Sequence, residues 1–334
     1  MKKVLRILAI VAGVIVLLVA GGISYIKFAL PNVGPAPDLV VQADTAQVAR
    51  GEYLANHVAV CIDCHSERNW KISSGPVVVG TEGKGGEAFT REMGFPGLYF
   101  ARNITPAHLS SWTDGEVYRA ITAGVSKDGR ALFPVMPYGN FGQADPEDIK
   151  AIIAYVRSLK PIENNSIPEP ESDFPMNLII NTIPTKSEGS KRPDPADSLA
   201  YGKYLVTLAS CGDCHTPVDD KGQKLPGMDF AGGRSFPMPT GTVRAANLTP
   251  DAESGIGTWT KPAFIARFKA AAQPDFKHPL TLEHAEFNTI MPWIMYSGMS
   301  EQDLGAIYSY LKTVSPVKNA VIKFSPKGKE VAIR

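Results

Sequence analysis

A chain of 334 residues is long enough for two ordinary domains, each with a sizeable core. Its 34 basic and 33 acidic side chains nearly cancel, which implies neither nucleic acid nor a strongly charged partner. With 44% hydrophobic and 9% aromatic residues, it is an ordered globular chain rather than a disordered one.

The first predicted element is an apolar helix. Lys2, Lys3 and Arg6 precede an uncharged run from Ile7 to Ile26, long enough to cross a bilayer core of roughly 30 Å. The positive flank keeps residue 1 in the cytoplasm and sends the rest across. This predicts a retained transmembrane anchor over 1–30. The rival is a cleaved signal peptide, whose apolar region is usually about 7–15 residues. Here the run continues past Ala20-Gly21-Gly22 through Ile23, Tyr25 and Ile26. Residues 31–45, PNVGPAPDLVVQADT, read as a linker that spaces the first domain from the membrane.

CIDCH at 61–65 returns as CGDCH at 211–215, and the two together use all four cysteines. Cys-x-x-Cys-His is the attachment signature of c-type haem. On a helical turn, positions i, i+3 and i+4 share a face. Cys61 and Cys64 therefore reach the two neighbouring vinyl groups of a porphyrin while His65 turns toward the iron. Cys211, Cys214 and His215 repeat the arrangement. A tetrathiolate zinc site would use pairs closer in sequence and would not need a histidine after each. A redox dithiol needs a βαβ setting that the sequence lacks. The chain is thus expected to carry two covalently bound haem c groups. Attachment of that kind takes place outside the cytoplasm, which fits export, and no thiol is left for a disulfide.

The flanking sequence is also written twice. RGEYLANHVAVCIDCH (50–65) answers to YGKYLVTLASCGDCH (201–215), and ARNITPAHLSSWTDGEV (101–117) to AANLTPDAESGIGTWTKPA (245–263). VMPYGNFGQADPEDIKAIIAYVRSLKP (135–161) answers without a gap to IMPWIMYSGMSEQDLGAIYSYLKTVSP (290–316). The expected domains are 46–161 and 198–316, with a C-terminal tail over 317–334. Each copy reads as helical. Asp145 is a good N-cap with Pro146 just inside, and Ile149, Ile152, Ile153, Val156 and Leu159 then recur on one helical face. In the other copy Ser300 starts the helix, with Leu304, Ile307, Tyr308 and Leu311 in matching places. Thr113 and Glu116 have the spacing of a capping box. The Gly- and Pro-rich stretches between read as loops. Between the copies, the linker over 162–197 is dense in proline and reads as a semi-rigid connector, with an apolar centre, Met176 to Ile183, on a domain surface. The expected fold class is all-α, two tandem units of short helices around haem.

What stands opposite each histidine decides the chemistry: a second strong ligand suits electron transfer, an open iron suits reaction with a small molecule. Met136 is the first candidate. It lies in a proline-bracketed, non-helical stretch just before a helix, whereas Met93, the other methionine between His65 and the connector, falls in a glycine-rich loop. In the second copy Met291, Met295 and Met299 are spaced by four. Repeat register selects Met291, because Met291-Pro292-Trp293 overlays Met136-Pro137-Tyr138, and Asp303 and Asp148 lie at the same interval beyond. Met295 is the fallback. A surface position or core packing explains His57, His108, His278 and His284 more simply than ligation, with His278 and His284 as the histidines able to replace Met291.

The GEYL and CxxCH start, the Asn-x-Thr-Pro element, the Trp-Thr after it and the MPY…DIKAIIAYVRSLKP ending resemble class I c-type cytochrome domains. They are most similar to the cytochrome c subunits of periplasmic alcohol and gluconate dehydrogenases. The resemblance implies small helical units with His/Met haem and places the Asn-x-Thr-Pro stretch close to the haem. Under it, Trp112 and Trp259 either donate an indole N–H to a haem propionate or simply pack. Those subunits commonly carry three haems, against two motifs here. The expected function is a membrane-tethered diheme electron carrier, not itself an enzyme, on the periplasmic face of a bacterial cytoplasmic membrane. Its redox partner would be a dehydrogenase, a quinol-oxidising complex or a terminal oxidase. The alternative is a diheme cytochrome c peroxidase type of enzyme with one open haem, which two matched methionines disfavour.

Overall fold

A computed structural model describes residues 2–280 and 286–328 of the chain. The first helix, α1 (Lys2–Phe28), has no buried residue, and Ile26 alone in it is not fully exposed. Residues 31–45 do not form an extended spacer. Val33 packs with Ala123 and Val125, the Val41 N–H donates to Asp114 at 2.9 Å, and the Pro37 carbonyl lies flat on Gly115, where a Cβ would come within 1.8 Å of its oxygen. The segment is a strap over the first half.

In the first half, α2 (Thr45–Tyr53) is capped by Asp44 and runs through a π-helical turn, Leu54–Val58, into α3 (Cys61–Cys64). Then come β1 (Ala88–Phe89), β2 (Gly97–Phe100), α4 (Pro106–Leu109), α5 (Asp114–Ala123), α6 (Tyr138–Phe141) and α7 (Pro146–Ser158). The connector supplies β3 (Glu171–Ser172) and α8 (Met176–Ile179). The second half has α9 (Ser198–Leu208), α10 (Cys211–His215), β4 (Ser235–Met238), β5 (Gly241–Arg244), α11 (Lys261–Lys269), α12 (Trp293–Tyr296), α13 (Glu301–Leu311) and β6 (Phe324–Pro326).

The caps fall where side-chain chemistry puts them. Asp145 accepts from the Glu147 N–H and Ser300 from the Asp303 N–H, while Thr113 and Glu116 complete a capping box. The chain is mostly helical. It departs from the all-α expectation in two three-stranded antiparallel sheets, β1-β2-β3 and β4-β5-β6. Both are built the same way. Gly97 opposes Ser172 and Gly241 opposes Pro326, so a strand from beyond each C-terminal helix returns to the strand that precedes the Asn-x-Thr-Pro element. These strands are too short, and too rich in Gly and Pro, for a period-2 pattern to announce them.

In each half the first and last helices cross at a glycine. A Cβ on Gly51 of α2 would meet the Ala151 carbonyl oxygen of α7 at 1.8 Å, and one on Gly202 of α9 would meet that of Ala306 in α13 at 2.1 Å. Around these crossings Leu54, Ile149, Ile152 and Ile153 are fully buried on one side, and Leu205, Leu208, Leu304 and Leu311 on the other, within one continuous cluster.

The halves exchange equivalent bonds. Tyr53 on α2 donates its hydroxyl to Asp303 and accepts from the Ser300 N–H at the start of α13. Tyr204 on α9 donates to Asp148 at 2.7 Å and accepts from the Asp145 N–H at the start of α7. Tyr53 and Tyr204 hold the same place in the repeat, as do Asp303 and Asp148. The contact is isologous, like that of a twofold dimer. Asp148, 1% exposed, also accepts from Arg50 at 2.9 and 3.0 Å and from Arg192 at 2.6 Å.

Candidate cofactor-attachment sites

Each Cys-x-x-Cys-His begins with a forced turn. Val60 (φ 47°) and Ser210 (φ 55°), the residues before the first cysteines, both adopt the left-handed conformation. That costs a non-glycine residue about 1–2 kcal/mol, more awkwardly for branched Val60. The turn closes when the Asp63 and Asp213 N–H groups donate to the Val60 and Ser210 carbonyls. Cys61 and Cys64 then sit at the two ends of α3, with His65 directly after it; Cys211, Cys214 and His215 lie together on α10. All four thiols are free; three are half-buried and Cys214 is exposed.

The histidines are framed identically. His65 Nδ1 lies 2.6 Å from the Arg102 carbonyl oxygen, and His215 Nδ1 lies 2.7 Å from that of Ala246. A carbonyl only accepts, so Nδ1 carries the proton and Nε2 is the nitrogen with a free lone pair. Burial lowers both imidazole pKa values and keeps the rings neutral, the form that ligates metal. The accepting carbonyls belong to the residues just before each Asn-x-Thr-Pro element, which is itself clasped. Asn103 donates to the Ile162 carbonyl at 2.7 Å and accepts from the Thr105 N–H at 2.9 Å and hydroxyl at 2.8 Å. Asn247 does the same with the Val317 carbonyl and Thr249, at 2.8, 2.9 and 2.8 Å. Gly85 and Gly232, with φ near +72° and +75°, donate to the His65 and His215 carbonyls; a Cβ on either would strike the Arg102 or Ala246 backbone at 2.5 Å. Resemblance implies that the Asn-x-Thr-Pro stretch lies near the cofactor; the clasp of each asparagine onto a carbonyl beyond the C-terminal helix of its half is tertiary.

The methionine turns also match. The Tyr138 N–H donates to the Met136 carbonyl across Pro137 (φ −78°, ψ 56°), and the Trp293 N–H to the Met291 carbonyl across Pro292 (φ −78°, ψ 59°), each at 2.7 Å. Both are inverse γ-turns. Met136, Met291 and Met295 are half-buried against the core, while Met299 is 1% exposed and belongs to it. Met93 lies in a short 3-10 turn after β1. His57 packs between the halves, its Nδ1 2.8 Å from the Met295 carbonyl oxygen; His108 and His278 are exposed, and His284 lies outside the described residues. Trp112 packs on the core and Trp259 is 38% exposed.

The second attachment turn and the loop after the first motif each touch the other half. Asn140, on the helix just after Met136, donates to Ser210 at 3.1 Å and Asp213 at 2.7 Å. The Ser74 hydroxyl, in the loop after the first motif, donates to the Met291 carbonyl at 2.8 Å. Sequence reasoning did not find these ties. The repeated GxYL tyrosine and the aspartate twelve residues after each methionine were the available signal for the Tyr–Asp exchange. Within the first motif Asp63 is buried against Arg68 at 3.0 Å; Arg68 also stacks on Trp70. Desolvation outweighs that partner and raises the Asp63 carboxyl to about 6.

These donor sets fit covalently bound haem. Desolvation pushes the Cys61, Cys64 and Cys211 thiols up to about 12, unlike the acidic thiols of redox dithiols. Among the described residues no cluster of three or more His, Cys, Asp or Glu converges as a metal-ion site, so the two cysteine pairs do not meet as a zinc centre.

No family model matches the chain. It is 30% identical over 297 residues to the gluconate 2-dehydrogenase cytochrome c subunit of Pantoea cypripedii, covering 82% of this chain and 60% of that protein. It is 27% identical over 307 residues to the cytochrome c subunit of the quinone-dependent alcohol dehydrogenase of Gluconobacter oxydans, covering 86% and 57%. A diheme c-type cytochrome of Cereibacter sphaeroides is 25% identical over 287 residues, covering 82% and 88%. The paired motifs, the frame around each histidine and these relatives make the chain similar to c-type cytochromes. Within that class it resembles the cytochrome c subunits of alcohol, gluconate and fructose dehydrogenases, of whose length it spans less than two thirds.

Proposed function

We propose that the chain is a membrane-tethered diheme cytochrome that relays electrons between a periplasmic dehydrogenase and a respiratory acceptor. Its units would be 46–161 and 198–316. Cys61, Cys64, His65 and Met136 would hold one haem, and Cys211, Cys214, His215 and Met291 the other. Haem held by these residues would supply one-electron chemistry, at a potential raised by a methionine ligand. The chain's own residues set the conditions. The Arg102 and Ala246 carbonyls fix the tautomer and plane of the histidines, raising their basicity. The γ-turns at Pro137 and Pro292 hold the methionine backbones in place. The observation that carries this reading is the duplicated frame, the same histidine–carbonyl bond and the same methionine turn in both halves. A dehydrogenase partner is supported by the relatives' names, and tethering by α1, long and apolar enough to span a bilayer.

Carbon monoxide tests it. The ferrous protein should bind none, with both haems low-spin, while Met136→Ala and Met291→Ala should each bind one equivalent. If the unmodified protein binds carbon monoxide at one haem and turns over peroxide, the peroxidase-type reading replaces this one. An unchanged spectrum in Met291→Ala would move the ligand to Met295.

A further inference from the structure

The connector carries an apolar surface that the electron-transfer reading does not use. Phe174 is 79% and Ile179 43% exposed, flanked by half-buried Met176, Leu178, Ile180 and Ile183. Two short helical turns, α8 and the 3-10 turn Ile180–Thr182 after it, present this stretch, and both pack against α1. The contact is at the outer end of α1, because Ile26, one turn from its C-terminus, is the residue of that helix that loses exposure. Only residues 29–32 separate α1 from buried Val33, a reach of about 18 Å at most for an extended chain. The strap from Val33 to Val41 then ties that exit to α5. The first half is held against the mouth of the anchor, and the exposed apolar turn stands beside that mouth.

We propose that residues 174–183 lie in the headgroup region of the bilayer next to the exit of α1, forming a second, interfacial attachment. The inference rests on α1 being a retained membrane anchor. Its occupant is lipid, because the surface is continuous with α1, the one helix among the described residues long and apolar enough to span a bilayer. An apolar turn a few residues from a membrane exit partitions into the interface, with its aromatic side chain at headgroup level. Two attachment points, one spanning and one lying flat, hold the first half in a single orientation above the membrane.

The test uses the full chain in nanodiscs of phospholipid bearing a photoactivatable diazirine, with adducts mapped by mass spectrometry. Adducts are expected on α1 and on 174–183. They should be absent from Val79, which is 91% exposed and is the control for exposure alone. Phe174→Ser with Ile179→Ser should abolish the connector adducts, leave those on α1, and leave the haem spectrum unchanged. Adducts on α1 with none on 174–183, or equal labelling of Val79, would overturn the interfacial attachment while leaving the anchor intact. Absence of adducts on α1, or a mature chain beginning after residue 20, would instead remove the anchor reading beneath it.

Discussion

Replacing Asn247 by alanine removes a side chain that is 4% exposed and makes four hydrogen bonds, to the Val317 carbonyl, the Ser254 hydroxyl and the Thr249 N–H and hydroxyl. The Thr249 N–H loses its acceptor, and the Val317 carbonyl loses its closest donor, keeping the Thr249 hydroxyl at 3.2 Å. One buried group is orphaned outright and a second is weakened. At about 1–3 kcal/mol for each unsatisfied group, the variant should be less stable by roughly 2–4 kcal/mol. That is a large share of the about 5–15 kcal/mol that holds a domain folded. Asn103→Ala should cost a similar amount, since the Ile162 carbonyl and the Thr105 N–H stand in the same relation. The damage should reach the histidine, because the carbonyl that holds His215 Nδ1 belongs to the residue just before Asn247. A looser Nδ1–H bond makes the imidazole a weaker donor, so the potential of that haem should rise. Urea unfolding monitored at the haem absorbance gives the stability, and voltammetry gives the potentials. A loss below about 0.5 kcal/mol, within the range of an ordinary surface substitution, would refute the clasp as a support of the histidine.

The same contacts set four further outcomes. Tyr53→Phe should destabilise more than Tyr204→Phe in denaturant melts, because buried Asp303 loses its donor while Asp148 keeps Arg50 and Arg192; the expected costs are roughly 3 and 1 kcal/mol. Gly51→Ala and Gly202→Ala must push apart helices in backbone contact, and each should cost at least about 2 kcal/mol by the same assay. Met136→His should keep that haem low-spin but lower its potential in voltammetry, since imidazole favours ferric iron over thioether sulfur. Partial desolvation of the ring, with Arg102 and Lys127 nearby, lowers the pKa of His108. Its neutral form is favoured by folding, so its contribution is present above about pH 6.5 and lost as pH falls through the lower folded value. An NMR titration should place its midpoint below 6.5, and His108→Gln should remove that part of the acid sensitivity.

Local chemistry was legible in the sequence wherever neighbours along the chain do the work. The Cys-x-x-Cys-His spacing, the caps at Asp145 and Ser300 and the box at Thr113 are all set within one helical turn. Repetition let one copy inform the other, as when Met291 was chosen by register and its proline turn proved to match that of Met136. Other features needed the fold. In each small sheet one pairing joins strands about 75–85 residues apart along the chain, with no periodicity to signal it. Residues 31–45 read as a spacer, because proline and glycine content does not say that Val33 has a pocket. The Tyr53–Asp303 and Tyr204–Asp148 pairs join residues 250 and 56 apart in sequence. Pairing across such distances depends on which surfaces the packed helices bring together, and a single chain read in order carries no record of that.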